Sequence, residues 1–372
     1  MKKEFAINSA KFVYSKNELG YQDIIDNMPD AKEITIITYN ISEKQSHLIK
    51  CIQSAPHNCE INIITNIPSR WDKYYGSNFR ENARKKINLY MTKLAPEKLG
   101  KAASVFFDFS NHGKIIMTDS IAYIGSENYS EESANNTEFG FISREKDFIE
   151  FIKEELLHEV KKEAVPYYQY NYTSLLLEAN MILSAVFNIK NCLYEETHRL
   201  HDDIDGEWFY YLNTESDLTI HTLESIRGIT ESACKIAGDI YDAIDDITNG
   251  DEDEAIKAND ILENLIQQSR RIEEITTFDT LYDFAQFDTI DFINHQLQGE
   301  YAMEAYEENL ENCINLALEE AMCTVMDLAQ DAHDDINDLL KQLKEFKSKY
   351  SGFIDIFKEY GVKKINPEID NT

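Results

Sequence analysis

The chain has 372 residues, 43% of them hydrophobic, and a formal net charge of −32. A chain of this size buries a substantial core and is expected to hold two domains, while its charge taken whole repels phosphates. The N-terminus MKKEFAINSAKFVYSK lacks the apolar run of a signal peptide, and Glu178 and Asn180 interrupt the longest apolar stretch, residues 175–187, so a cytoplasmic chain without a membrane partner is expected.

The charge is unevenly spread. Residues 1–150 hold 19 Lys and Arg against 20 Asp and Glu, which leaves 17 against 48, a net of −31, for residues 151–372. In chain order, the β-rich runs EITIITYNIS (33–42), EINIITNIP (60–68), SVFFDFS (104–110) and EFGFISR (138–144) alternate with segments of helical length, an α/β pattern. The stretch AVPYYQYNY (164–172) then reads as a linker. Beyond it, helices are expected near 173–200, 215–247 and 252–287. From Met303 onward, apolar residues recur every three or four positions, including 310, 314, 317, 321, 336, 343, 350 and 353, as in one long amphipathic helix. The expected organisation is an α/β domain over residues 1–165 and an acidic all-α helical bundle, in part a coiled coil, over residues 166–372. The six cysteines, Cys51, Cys59, Cys192, Cys234, Cys313 and Cys323, form no CxxC pair, which suits a reducing compartment.

The chemistry concentrates in SNHGKIIMTDSIAYIGSENYS, residues 110–130. His112 and Lys114 stand two apart on an expected strand, so both side chains leave one face and can meet one phosphate. After a turn at Asp119, a second strand leads to Ser126 and Asn128, with Gly125 allowing close approach of backbone or ligand. A hairpin brings the two pairs together. Phosphodiester cleavage needs a nucleophile, donors for the phosphoryl oxygens and an acid for the leaving group, and one histidine cannot be nucleophile and acid at once.

His112-x-Lys114, Asp119 and Gly125-Ser126-x-Asn128 together resemble the HKD signature of the phospholipase D superfamily, over roughly residues 5–160. The resemblance implies a mixed sheet flanked by helices. It also implies that His112 forms a phosphohistidine, that Lys114 and Asn128 grip phosphate oxygens with help from Ser126, and that Glu138 orients the histidine. Asp119 is expected to brace the hairpin. One departure stands out: five residues separate Asp119 from Gly125 where the family usually has six, and a one-residue slip reverses side-chain parity on a strand. Only one HxK motif is present, so the resemblance implies a homodimer through the catalytic domain, each chain giving one His112, with no metal or other cofactor.

Residues 69–98 are the most basic window, with eight Lys and Arg against three Asp and Glu. Arg70, Lys73, Arg80, Arg84, Lys85 and Lys86, interleaved with Trp71, Tyr74 and Tyr75, are candidates for holding nucleic acid; a solvated helix face accounts for the pattern equally well. His47, Cys51, His57 and Cys59 are too irregularly spaced for a zinc site, and Asp334, Asp335 and Asp338 spell DDxxD inside a generally acidic segment. The expected function is a metal-independent homodimeric nuclease, regulated by its acidic domain or by a basic partner protein bound there, a role suited to bacterial defence. The alternative is a binding protein whose phospholipase D-like site has decayed, and a phospholipase comes third.

Overall fold

The structure, a computed structural model, describes residues 2–42, 47–68, 79–99, 103–167, 173–202, 208–212, 218–243, 252–277, 280–302 and 309–363. The chain forms two compact units, the first built mainly from residues before Ala185 and the second mainly from those that follow.

The first unit is an eight-stranded mixed sheet with helices. Its strands are β1 (Lys11–Lys16), β2 (Glu33–Thr38), β3 (Glu60–Thr65), β4 (Ala103–Phe107), β5 (Ile115–Thr118), β6 (Ala122–Gly125), β7 (Thr137–Ser143) and β8 (Val165–Pro166). They lie in the order β1-β7-β6-β5-β2-β3-β4-β8. The four β-rich runs of the sequence become β2, β3, β4 and β7. β2, β3 and β4 run parallel; helix α1 (Gln22–Asn27) precedes β2, and helices α2 (His47–Gln53), α3 (Phe79–Lys93) and α4 (Pro96–Leu99) lie in the connections of the parallel strands. That arrangement explains the unbroken isoleucine runs, since parallel strands are covered on both faces. β5, β6 and β7 form an antiparallel meander, and β5 pairs antiparallel with β2.

On one face, Ile37, Ile64, Ile115, Met117 and Ala122 pack against Phe148, Ile149, Ile152 and Leu157. These last residues come from α5 (Lys146–Phe151), α6 (Leu157–Glu163) and the π turn that joins them, Ile152–Leu156. The expected linker begins as sheet: Val165 and Pro166 pair with Phe107 and Phe106. Pro lacks an N–H, and an edge strand tolerates that loss.

Helix α7 (Thr173–Thr197) starts in the first unit and runs into the second. The second unit continues with α8 (Ile220–Asp242), α9 (Glu252–Thr277), α10 (Thr280–Gln286), α11 (Thr289–Gln298) and α12 (Leu310–Lys363), a helix of 54 residues, roughly 80 Å long at 1.5 Å per residue. The helical character expected for this half is present. Between α7 and α8 lies a two-stranded hairpin, β9 (His198–Asp202) and β10 (Trp208–Leu212), that periodicity did not reveal. Along α12, Ala317, Ala321, Ala332, Ile336, Leu339, Leu343, Phe346, Tyr350 and Phe353 are fully buried, as the stripe predicts, but Leu310 and Ile314 are exposed. There the inward row is Cys313, Ala317 and Ala321, whose small side chains suit close helix approach. No helix among the described residues is long and apolar enough to cross a membrane.

The meander is locked by an aromatic ring. Gly125 faces Gly140 across β6 and β7, and the buried Tyr123 ring fills the space over both: a Cβ on either glycine would fall 2.6 Å from Tyr123 Cζ. Gly140→Ala is expected to cost about 1–3 kcal/mol through overpacking, measured as a lower midpoint in urea unfolding.

Candidate active site

Because β5 runs against β2, the segment entering β5 arrives beside the carboxyl end of β2. His112 and Lys114 lie in this entering segment, just before the strand they were expected to occupy. Short polar side chains shape it. Asp108 Oδ1 accepts from Ser110 N at 2.9 Å, and Asn111 Oδ1 accepts from Gly113 N at 2.9 Å, two Asx turns flanking His112. Asn111 Nδ2 also donates to the Thr38 carbonyl at 2.8 Å, tying the segment to β2.

His112 is exposed and Lys114 is buried. Lys114 Nζ donates to the His112 carbonyl at 2.6 Å and lies 3.1 Å from His112 Nδ1. The Tyr39 ring meets the imidazole at 4.8 Å between centroids, and Lys114 Nζ sits 5.6 Å from the centre of the same ring. Burial lowers the Lys114 pKa, and the Glu138 carboxylate opposes that shift. An ammonium beside Nδ1 favours a lone pair there and the proton on Nε2.

Asp119 lies at the far end of β5, where its Oδ1 accepts from Lys32 N at 2.8 Å and Glu33 N at 3.4 Å. It braces the hairpin against the start of β2. The short spacing to Gly125 is taken up by a two-residue turn, Asp119-Ser120, closed by Thr118 N donating to Ile121 O at 2.9 Å. Regular pairing then holds from Ile115 opposite Ile124 to Met117 opposite Ala122.

The loop after β6 carries the other half of the motif. Ser126 Oγ donates to Glu138 Oε2, and Asn136 Nδ2 donates to Glu138 Oε1 at 3.3 Å. Glu138 makes no hydrogen bond to His112: it stands two strands away from β5, and Ser126 intercepts its carboxylate. Thr38 Oγ1 lies 3.5 Å from Asn128 Oδ1, and Tyr21 OH donates to the Asn128 carbonyl at 3.0 Å. The Asn128 Nδ2 amide is left as a donor without a partner among the described residues.

Sequence reasoning passed over two participants. Tyr39 gave no motif signal, because its role depends on strand pairing. Glu127, between Ser126 and Asn128, is fully buried, with Oε2 accepting from Gly20 N at 2.8 Å and Oε1 without a hydrogen-bond partner. Burial pushes its pKa up to about 7, with the Glu138 charge adding to the rise.

The basic candidates are distributed differently. Arg70 and Lys73 lie outside the described residues. Arg80 Nε and Arg84 Nε bind opposite oxygens of the buried Glu178 on α7, at 2.8 and 2.6 Å, so both help fasten α3 to α7. Lys86 Nζ donates to the Pro68 carbonyl at 3.1 Å, and Lys85 forms an exposed pair with Glu81 at 2.6 Å. Among the described residues no group of three or more His, Cys, Asp or Glu could hold a metal ion. Cys51 Sγ lies 3.5 Å from His47 Nδ1, and two of the DDxxD aspartates are taken by helix contacts, Asp335 with Thr280 and Asp338 with Arg271.

The family model described as "Cardiolipin synthase, PLD-like domain" matches residues 24–160. This domain belongs to the phospholipase D superfamily. The phospholipase D-like domain thus contains β2 to β7 and every residue of the HKD-like motif. No curated protein matches the chain. Among solved structures, Nuc of Salmonella typhimurium, a phospholipase D family member, is 15% identical, with 43% of this chain and 99% of that one covered at a TM-score of 0.33. NucT from Helicobacter pylori is 15% identical, covering 43% and 100% at 0.31, and the archaeal chromatin protein TrmBL2 is 13% identical, covering 44% and 56% at 0.26.

Glu127 has a measurable consequence. Its carboxyl is raised from 4.5 to about 7 in the folded chain, so between those values the folded state binds more protons than the unfolded state. Stability therefore falls as pH rises from 4.5 through 7, by on the order of 3 kcal/mol when the group is fully ionised. Glu127→Gln is expected to remove that part of the decline, read from urea unfolding at pH 5 and pH 8.

Proposed function

We propose that the chain is a metal-independent phosphodiesterase, a homodimeric nuclease working through a phosphohistidine. The observation that carries this reading is the pairing of one exposed imidazole with a buried lysine at 3.1 Å, on the strand edge where Asn128 keeps a donor available. An imidazole nitrogen of His112 attacks phosphorus, the bond from phosphorus to the leaving oxygen breaks, and a phosphohistidine forms. The leaving oxygen takes its proton from His112 of a second chain; that imidazole then takes a proton from water, which attacks phosphorus, breaks the P–N bond and releases the phosphomonoester. Lys114 and Asn128 hold the nonbridging oxygens as charge develops. Attack requires a lone pair on the reacting nitrogen. The Nδ1 lone pair faces Lys114 Nζ at 3.1 Å, so Nε2 is the reacting nitrogen and its proton must leave before attack. Ser126 and Glu138 shape the loop that carries Asn128.

Nucleic acid is the favoured substrate on the basic and aromatic composition of residues 69–98, of which Arg80 and Arg84 serve the packing of α3 on α7 through Glu178. The acidic second unit is assigned a regulatory part through a basic partner protein, a role suited to bacterial defence. A binding protein with a decayed site is the second reading, favoured because among the described residues no carboxylate is hydrogen-bonded to His112.

A nuclease assay in EDTA with the His112→Asn chain separates the two. Cleavage that persists in EDTA and falls by about a thousandfold in the variant is expected. Cleavage that requires Mg²⁺ and survives the substitution would sink the proposal.

A further inference from the structure

Helix α12 carries an apolar row that the second unit leaves in solvent. Leu310, Ile314, Leu318, Met322 and Met326 recur every four residues and keep 49, 38, 41, 45 and 55% of their surface exposed, respectively. Residues four apart on a helix stand one above the other, so the five form a continuous ridge, roughly 24 Å long at 1.5 Å per residue. The core of the unit does not use this ridge, because Cys313, Ala317 and Ala321 are the fully buried side chains of the same turns. α9 and α10 are tied to α12 at its later turns, by Gln268 with Glu345 at 3.1 Å, Arg271 with Asp338 at 2.7 Å and Thr280 with Asp335 at 2.5 Å. α11 also packs on α12, yet none of its own residues is buried, and the chain just after it reaches α12 through Tyr301 OH donating to Glu320 Oε1. This end of the bundle is thinly covered, and a contiguous apolar ridge there marks an interaction site.

We propose that the ridge is the docking surface for a basic amphipathic helix of a partner protein. The inference rests on the reading of the acidic unit as the place where a basic partner binds, and names the surface and the form of that partner. Charge complementarity selects the occupant. One residue on from the ridge runs a second row, Glu311, Asn315, Glu319, Cys323 and Asp327, all exposed, and residues 151–372 carry a net charge of −31. A second copy would set acid against acid along the whole contact, whereas lysines and arginines edging a partner helix meet Glu311, Glu319 and Asp327. The same charge repels nucleic acid. Geometry selects a helix, since a ridge of residues four apart fits the groove between the ridges of another helix. The partner is read as apolar side chains recurring every three or four residues, and the flexible Met322 and Met326 adapt to their exact shapes.

Fluorescence anisotropy on the full chain with a labelled synthetic peptide tests the proposal. The probe is a helix of about eighteen residues with leucines along one face and lysines flanking them, and the control has the same composition with the leucines scattered round the helix. The amphipathic peptide is expected to bind roughly tenfold more tightly than the control, and Leu318→Gln with Met322→Gln to remove that preference. Glutamine keeps helix propensity at these exposed positions, and circular dichroism checks that the fold is kept. Glu319→Lys with Asp327→Lys, which leaves the apolar ridge intact, is the second variant and is expected to weaken the amphipathic peptide about fivefold. Equal binding of the two peptides overturns the proposal, since net charge alone accounts for it, and so does a preference unchanged in folded forms of both variants. Self-association of the unaltered chain in sedimentation velocity, abolished by the glutamines, also overturns it and makes the occupant a second copy. Cleavage assayed with and without the peptide keeps the two readings apart: ridge-dependent binding in a chain whose cleavage is absent, or indifferent to the peptide, retires the nuclease or its regulation and leaves the docking surface standing.

Discussion

The antiparallel pairing of β5 with β2 is the constraint on which the site depends. β2, β3 and β4 run parallel, so their carboxyl ends share one edge of the sheet, and the reversal at β5 brings its entering segment to that same edge. A second reversal at β6 returns Ser126, Glu127 and Asn128 there. Two halves of a motif, separated in sequence by a hairpin, therefore converge without a long loop. The Tyr123 ring seated over Gly125 and Gly140 holds the register, since a one-residue slip would send every side chain of β6 to the opposite face.

Charge around the motif is finely matched. Lys114, Glu138 on β7 and Glu127 inside the loop are all buried, and the Glu138 charge acts on both of the others. If both carboxylates were ionised, an incoming phosphodiester would meet net negative charge. Burial of Glu127, with one oxygen lacking a hydrogen-bond partner, favours its neutral form and leaves Glu138 to offset Lys114.

The second unit follows a different logic. Its long helix α12 buries alanines along its first half and Phe346, Tyr350, Phe353 and Phe357 along its second, so close approach gives way to wide aromatic packing. Acidic side chains remain outside this stripe, and the pair of Arg271 with Asp338 joins α9 to α12. Apolar burial therefore offsets the mutual repulsion of a strongly negative helix set.

Much of this was legible in the chain itself. Period-two and unbroken apolar runs placed β2, β3, β4 and β7, the three-to-four spacing placed α7, α8, α9 and α12, and the His112, Lys114, Asp119, Gly125, Ser126 and Asn128 spacing marked the hairpin, because each signal lies within one or two local elements. The tertiary structure alone decided what the side chains meet. Arg80 and Arg84 look like phosphate ligands until α7 brings Glu178 to them from 98 and 94 residues away, respectively. Glu138 matches a histidine-orienting position, yet Ser126 reaches it first. Tyr39 and Glu127 carry no motif, and only strand pairing sets one against the imidazole and buries the other against Gly20. Local spacing determined which residues share a turn or a face. Long-range pairing decided their partners, because burial and hydrogen bonding are set by whichever distant segment the fold delivers.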